Sequence, residues 1–185
     1  MNRQSGVTLV ELMVVIGIAA IITAIGVPSY RYVTTSNRLS GEINDLMGDL
    51  QFARYEAIKE GLNVTACPAA SASMATTCDT TTAWTEGWIV RSNAGTVLRR
   101  HLSLSSINAN ANGSDTVTGS TGLSSIVYNR EGFATFPGGA TNPMFSLHDP
   151  NNVSGFTRCL MISSAGAMST ATYGKSVFSA AVTCS

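Results

Sequence analysis

Four cysteines are the residues of this sequence whose side-chain chemistry and spacing we interpret first. Cys67, Cys78, Cys159 and Cys184 lack the Cys-x-x-Cys or Cys/His spacing of a zinc site. Disulfides explain them better than a metal site or four buried free thiols do. Four cysteines allow three pairings, and we predict the sequence-local one, in which Cys67 joins Cys78 and Cys159 joins Cys184. Because disulfides persist in oxidising compartments, this prediction favours an exported domain.

The residues that could perform acid, base or nucleophilic chemistry form no recognisable constellation. His101 and His148 are isolated in segments of β-type pattern, which is typical of structural histidines. Asp45 and Asp49 lie four residues apart and are expected on a solvated helix face. The sequence has no His-Glu-x-x-His, Gly-x-Ser-x-Gly, Gly-x-Gly-x-x-Gly or Walker motif. We therefore predict a protein that is not an enzyme, with no catalytic residue, metal, cofactor or small-molecule substrate.

The charge distribution gives little reason to expect a nucleic-acid partner. Eleven Lys and Arg balance eleven Asp and Glu, and from residue 62 onward six basic residues stand against five acids. The local basic cluster Arg99-Arg100-His101 lies in a predicted strand, where successive side chains point to opposite faces. Neutralising phosphates requires a stronger basic surface. DNA binding is therefore disfavoured, and partners should be chosen by shape and apolar contact.

An apolar run of membrane length dominates the N-terminal part of the chain. Residues 12–22 are apolar without interruption, and residues 7–27 are broken only by Thr8, Glu11 and Thr23. A helix over residues 7–27 covers about 30 Å, the thickness of a hydrocarbon core. The residues before it carry one Arg and no acid, so they should stay in the cytoplasm while the rest of the chain is exported.

Glu11 is the charged side chain inside this apolar run. An ionised carboxylate there costs about 2 to 3 kcal/mol or more, depending on its depth in the bilayer. Two interpretations are open. The carboxylate either snorkels to the interface or is kept for a partner charge.

The residues around Glu11 also resemble a processing motif. Residues 6–13, GVTLVELM, resemble the Gly-Phe-Thr-Leu-x-Glu-Leu/Met motif of type IV pilins and pseudopilins, with Val7 in place of the usual Phe. The resemblance implies that a prepilin peptidase cuts between Gly6 and Val7, and that Val7 is then N-methylated. It also implies that the Glu11 carboxylate meets the N-terminal amine of a neighbouring subunit during assembly, which turns two isolated charges into one pair.

Helical patterning continues beyond the apolar run. Pro28 is expected to kink or locally break the helix, and Gly61 is expected to cap its C-terminus. Between them the acids are expected on solvated faces, and a soluble coiled coil is disfavoured because the apolar stripe lasts only about three heptads. The apolar residues that recur at steps of three and four are Leu39, Ile43, Leu46, Leu50, Ala53 and Ala57.

After Gly61 the pattern changes to short β-type segments separated by turn-rich stretches. Residues 69–83 and 105–122 have almost no charge or bulk and are predicted to be surface loops that could select neighbours. The predicted strands lie at residues 63–67, 87–91, 96–104, 125–128, 144–148 and 157–163.

The segment from residue 53 through Gly61, Val64 and Cys67, together with residues 84–90 and 95–98, resembles the corresponding parts of GspH/FimT-type pseudopilins. The resemblance implies an α+β fold in which a long N-terminal helix packs against a mainly antiparallel β-sheet head. Arg54 and Glu56 are expected to be solvated helix charges, and Trp84 and Trp88 to be core or rim aromatics. The implied organisation is a leader peptide at 1–6, a transmembrane and filament-core helix at 7–27, its amphipathic continuation at 28–61 and a β-rich head at 62–185.

The resemblance implies a minor pilin that assembles into a type IV pilus and primes or caps it. The alternative is a minor pseudopilin of a type II secretion system, and a major pilin is disfavoured by the head. The implied partners are other pilin or pseudopilin subunits, the prepilin peptidase and, before assembly, the bacterial inner membrane. The chain would cross that membrane once with its head in the periplasm, and then enter a filament at the cell surface.

DNA uptake is a third and less favoured role. Some FimT-type proteins use a C-terminal Gly-Arg-x-Arg motif for it. The corresponding residues here, 162–169, keep Gly166 and lack both arginines.

Overall fold

A computed structural model of the chain describes residues 8–69, 74–104, 114–141, 143–176 and 183–184. The chain divides into two compact units, Met1–Asn37 and Arg38–Ser185. A long helix, α1, runs from Leu9 to Glu60, so its first part belongs to the first unit and its remainder to the second. Gly6 and Val7, which flank the predicted cleavage site, lie outside the described residues.

Helix α1 begins directly after Thr8. The Thr8 hydroxyl accepts a 3.3 Å hydrogen bond from the amide of Glu11, and such N-capping satisfies an amide that has no partner within the helix. The helix then continues through Pro28 without interruption. The local break that this proline was expected to allow does not occur, and a kink there stays a prediction.

The part of α1 in the second unit buries one stripe of side chains. Helix α1 ends at Glu60, and Gly61 follows with a φ of 68°, the left-handed conformation expected of a C-cap. The predicted stripe is confirmed, since its members Leu39, Ile43, Leu46, Leu50, Ala53 and Ala57 are all buried.

Short strands follow α1 and form two antiparallel sheets. The first sheet has the order β3-β2-β1-β5-β6 and the second has the order β4-β7-β8-β9, which confirms the predicted α+β class. A short 3-10 helix, Ser154–Phe156, precedes β8. The strands are Val64–Pro68 (β1), Gly87–Ser92 (β2), Val97–Leu102 (β3), Thr116–Gly119 (β4), Ile126–Tyr128 (β5), Ala134–Thr135 (β6), Met144–His148 (β7), Arg158–Ile162 (β8) and Met168–Thr172 (β9).

Strands β4, β6 and β9 were not predicted from the sequence, and β4 corrects the prediction of a loop. Strand β4 lies within residues 105–122, which were expected to form a loop. Its register is set by β7, with Thr116 opposite His148, and β6 has only two residues. Strands this short, or as rich in Ser and Thr as β9, take their structure from distant partners rather than from their own pattern.

Side chains of α1 and of both sheets pack together in one core, because alternate residues of a strand point to the same face. Ala66 and Val90 are opposite each other in β1 and β2, and both belong to the large cluster that contains the α1 stripe. Their neighbours Cys67 and Ile89 also face each other and form a small second cluster with Ala69. The first sheet therefore has one face on the helix and another covered by the chain that follows β1.

Candidate functional site

The surface of α1 in the first unit is apolar and exposed. Over its most apolar window of 18 residues the mean hydropathy is 2.5, and none of that window is buried. By length and composition α1 can cross a membrane. The exposed large apolar side chains up to residue 27 are Leu9, Val10, Leu12, Met13, Val14, Val15, Ile16, Ile18, Ile21, Ile22, Ile25 and Val27.

Glu11 lies in the first turn of α1, amid this apolar surface. Between Arg3 and Arg31 it is the only charged residue in the sequence. Its side chain is exposed and forms no ion pair with any residue that the structure describes. A carboxylate in that position is costly in hydrocarbon unless a cation approaches it. The pairing of Glu11 with a neighbouring subunit stays a prediction.

Three acids on the second part of α1 correct the expectation of solvated charges, whereas Asp45 is exposed as expected. Glu42, Asp49 and Glu56 are buried, with 6%, 7% and 8% of their surface exposed. Asp49 accepts a 2.8 Å hydrogen bond from Nε1 of Trp88 and pairs with Arg99 at 2.9 Å. These three acids are spaced by seven residues, so they share one helix face beside the apolar stripe. The spacing places them on one face, but nothing local in the sequence indicated that later strands would cover it.

Hydrogen bonds and ring contacts fix both tryptophans in the core, as expected. Trp84 donates from Nε1 to the carbonyl of Leu123 at 3.1 Å and meets Phe145 edge to face with centroids 4.8 Å apart. Trp88 stacks on His101, with ring centroids 3.9 Å apart and planes 9° from parallel. His101 therefore has a packing role on β3.

The structure also corrects the expectation that Arg54 is a solvated helix charge. Its guanidinium joins α1 to a turn. It donates to the carbonyls of Gly166 and Ala165 at 3.0 and 3.2 Å. Gly166 has a φ of 74°, and a Cβ there would lie 2.4 Å from the carbonyl oxygen of Gly132. The glycine that was compared with a DNA-binding motif is thus required by a close approach of two turns.

Arg38 and Asp115 form a two-pronged ion pair in the second unit. Nε and Nη2 of Arg38 each lie 2.7 Å from a carboxylate oxygen of Asp115. The Asp115 side chain is fully buried, whereas 29% of the Arg38 side chain is exposed. This pair ties α1 to the residue that precedes β4 and thereby holds the edge of the second sheet. Nothing local in the sequence links two residues that lie so far apart.

Two disulfides join the cysteines in the sequence-local pairing. Cys67 is bonded to Cys78, which ties the segment after β1 onto the outer face of the first sheet. Cys159 is bonded to Cys184, which ties the C-terminal segment to β8. Among the described residues, no group of His, Cys, Asp or Glu side chains could hold a metal ion.

Tyr128 is the buried titratable group that stands apart from these networks. Burial raises the pKa of its phenol, and the nearby charge of Arg54 opposes that change only in part. Its hydroxyl finds no hydrogen-bond partner in the described part of the chain. An unsatisfied polar atom of this kind costs stability, so the side chain contributes to the core through its ring.

Comparison with known proteins gives two family matches, one at the N-terminal part of the chain and one over most of the second unit. Residues 42–166 match the family described as Type II transport protein GspH. Residues 1–27 match the prokaryotic N-terminal methylation motif. Over 31 residues the chain is 64% identical to prepilin peptidase-dependent protein D of Escherichia coli (strain K12). That match covers 17% of this chain and 21% of the relative, so it bears on a short segment only.

A solved structure shares the fold. The crystal structure of the type IV minor pilin FimU of Pseudomonas aeruginosa (strain PAO1) aligns with a TM-score of 0.53 at 20% identity. The alignment covers 72% of this chain and 87% of that one. At this level of identity, the likeness establishes a pilin-like fold.

Proposed function

The chain belongs to the GspH family, described as Type II transport protein GspH, and from this premise we propose that it is a minor pilin-like subunit of a membrane-derived filament. Its role is structural, as the family's is. The head of residues 62–185 contacts other pilin or pseudopilin subunits, and the N-terminal part of α1 anchors the chain before assembly and packs in the filament afterwards.

One observation carries this proposal. The first part of α1 exposes apolar side chains over a membrane-length window, with Glu11 as the only charge between Arg3 and Arg31. A bilayer satisfies such a surface before assembly, and equivalent helices of neighbouring subunits satisfy it afterwards. The match of residues 1–27 to the N-terminal methylation motif supports the same use.

Processing follows from the same motif. A prepilin peptidase would remove residues 1–6, cutting between Gly6 and Val7, and the new amine of Val7 would be methylated. The positively charged leader keeps that end in the cytoplasm, so the chain crosses the bacterial inner membrane once with its head in the periplasm. The two disulfides suit that oxidising compartment.

Two filament systems use subunits of this kind, and an observation favours each. The fold is that of a type IV minor pilin, which favours a subunit that primes or caps a type IV pilus. The family description favours a minor pseudopilin of a type II secretion system. Deleting the gene distinguishes them: loss of surface pili with normal secretion indicates the pilus, and the opposite pattern indicates the secretion system.

The test of filament assembly is the variant Glu11→Ala. We expect it to insert in the inner membrane at the level of the unchanged protein but to be about tenfold or more depleted in sheared filaments. The reason is that the partner amine of the neighbouring subunit loses its counter-charge. Immunoblots of the membrane and sheared fractions measure both quantities.

The matched control is Thr23→Ala on the same helix. Among the residues that the structure describes, the Thr23 hydroxyl donates only to the Ala19 and Ala20 carbonyls of its own helix, so its removal should leave assembly unchanged. Full recovery of Glu11→Ala in filaments would show that the carboxylate merely snorkels. Equal depletion of both variants would show that the helix tolerates no change, and would leave Glu11 without a special role.

A further inference from the structure

Four successive exposed residues, 30–33, ring α1 shortly after its apolar run. Two of them are tyrosines, Tyr30 and Tyr32, with 71% and 58% of their surface exposed. Arg31 lies between them and is also exposed. Successive residues of a helix are turned by about 100°, so these four cover its whole circumference at one level. The residues that follow are Thr, Thr, Ser and Asn. We call residues 30–33 the collar, and it marks the change of α1 from an apolar to a polar surface.

The guanidinium of Arg31 has no carboxylate partner within the chain. Glu11, the acid that precedes it in the sequence, lies 20 residues earlier on the same helix. None of the ion pairs among the described residues includes Arg31. The residues that the structure does not describe contain no Asp or Glu. The charge of Arg31 is therefore open to an anion that approaches the helix.

The distance between Glu11 and Arg31 matches the thickness of a bilayer. About 30 Å of helix separates them, and a hydrocarbon core is about 30 Å thick. When the collar lies at one interface, Glu11 therefore lies close to the other. Tyrosine is enriched at such interfaces because its ring is apolar and its hydroxyl is polar. An arginine at the same level can extend its charged end towards the headgroups.

We propose that the collar is a lipid-binding site, in which Arg31 binds the phosphate of an anionic phospholipid while Tyr30 and Tyr32 hold α1 at a fixed depth in the bilayer. This inference rests on the proposed membrane anchoring and adds to it the residues and the class of lipid. A guanidinium fork matches the oxygens of a phosphate. An anionic headgroup also carries net negative charge, so anionic lipids are preferred to zwitterionic ones.

Quenching by brominated lipids tests the lipid preference. The reporter is Tyr30→Trp in the full chain, because tryptophan suits the same interface. The unchanged protein supplies the signal of the buried Trp84 and Trp88, which is subtracted. The vesicles contain phosphatidylcholine and about one fifth phosphatidylglycerol, and bromine is carried either by the phosphatidylglycerol or by an equal amount of the phosphatidylcholine. We expect stronger quenching in the first case, corresponding to about fivefold enrichment of phosphatidylglycerol beside residue 30.

Charge variants of the reporter show whether Arg31 is responsible. Arg31→Gln should remove the preference, so that the two brominated lipids quench equally. Arg130→Gln removes the same charge from an exposed side chain of the second unit and should keep the preference. Equal quenching by both lipids when Arg31 is present, or an undiminished preference in Arg31→Gln, would overturn the proposal.

Flotation of the same vesicles separates this inference from the proposed function. A chain that floats with the vesicles and shows no lipid preference keeps its membrane anchoring and loses the lipid site. The collar would then be a contact for another protein. A chain that does not float contradicts the anchoring and the lipid site together.

Cysteine labelling tests whether the tyrosines fix the depth of α1. Val27→Cys, at the end of the apolar run, should react slowly with a water-soluble maleimide in vesicles, and the native cysteines are held in disulfides. Adding Tyr30→Ala/Tyr32→Ala should raise its labelling rate about twofold or more, because interfacial anchors limit the movement of a membrane helix. Tyr55→Ala, at an exposed position of the second unit, is the control and should leave the rate unchanged. An unchanged rate in Tyr30→Ala/Tyr32→Ala would contradict the role in depth.

Discussion

Asp49 on α1 and Trp88 on β2 are joined by a hydrogen bond of 2.8 Å between the carboxylate and the indole nitrogen. Both side chains are buried, so neither polar group can hydrogen-bond well to water. The second carboxylate oxygen of Asp49 pairs with Arg99 on β3. A single helix residue thus fixes the position of two neighbouring strands of the first sheet on α1.

Asp49→Ala should lower the free energy of unfolding by about 2 kcal/mol, because the indole N–H of Trp88 would stay buried without its acceptor. The ion pair adds little to this figure, since half of the Arg99 side chain is exposed. Denaturant unfolding followed by tryptophan fluorescence measures the change. Asp45→Ala, one turn earlier and exposed, should stay within about 0.5 kcal/mol of the unchanged protein. Equal losses in the two variants would refute a special role for Asp49.

Asp49 also shows how far the sequence predicts this fold. Local periodicity correctly identified the buried stripe from Leu39 to Ala57, because burial of one helix face depends on spacing within the helix. It did not predict that the face bearing Asp49 is also covered. The covering residues, Trp88 and Arg99, come from strands about 40 and 50 residues later. The same distance dependence explains why β4 was predicted to be a loop.

Some features of the candidate site could likewise be predicted from the sequence, and others could not. The motif of residues 6–13 is contiguous, so it could be recognised from the sequence, as could the apolar run that follows. The contacts of Arg54 with Gly166 and Ala165 could not, because they depend on a turn more than 100 residues later in the chain. From the sequence, Arg54 was expected to be a solvated helix charge.

Arg38→Ala should destabilise the second unit by about 3 kcal/mol, because it leaves the buried carboxylate of Asp115 without its guanidinium. Chemical denaturation of this variant, of Asp115→Ala and of the double variant forms a thermodynamic cycle. We expect the double variant to be less destabilised than the sum of the two single variants. The exposed pair of Arg130 and Glu131 is the control, and its disruption should have little effect. Additive losses at Arg38 and Asp115 would contradict the coupling.

Tyr128 predicts how stability changes at alkaline pH. Burial raises the pKa of its phenol in the folded state. The stabilisation that this protonated phenol contributes is fully present below the unfolded-state pKa of about 10, and it is lost as pH rises through the folded-state pKa. Unfolding measured at pH 7 and about pH 10.5 should therefore show a fall that Tyr128→Phe reduces. At pH 7 this variant should be as stable as the unchanged protein or more so, since the hydroxyl has no described partner. Tyr173→Phe, at an exposed position, is the control. An undiminished alkaline fall in Tyr128→Phe would assign it to other groups.

The central claim is that this chain is a processed, membrane-anchored filament subunit, and the mass of its mature N-terminus tests that claim most directly. The full-length chain is expressed in a host that has a prepilin peptidase, recovered from the membrane and analysed by mass spectrometry of its N-terminal peptide. We predict a chain that begins at Val7 and carries one methyl group on its amine, and a Gly6 substitution that blocks the cut. A mature chain that still begins at Met1, or one that begins beyond Pro28, would contradict the account.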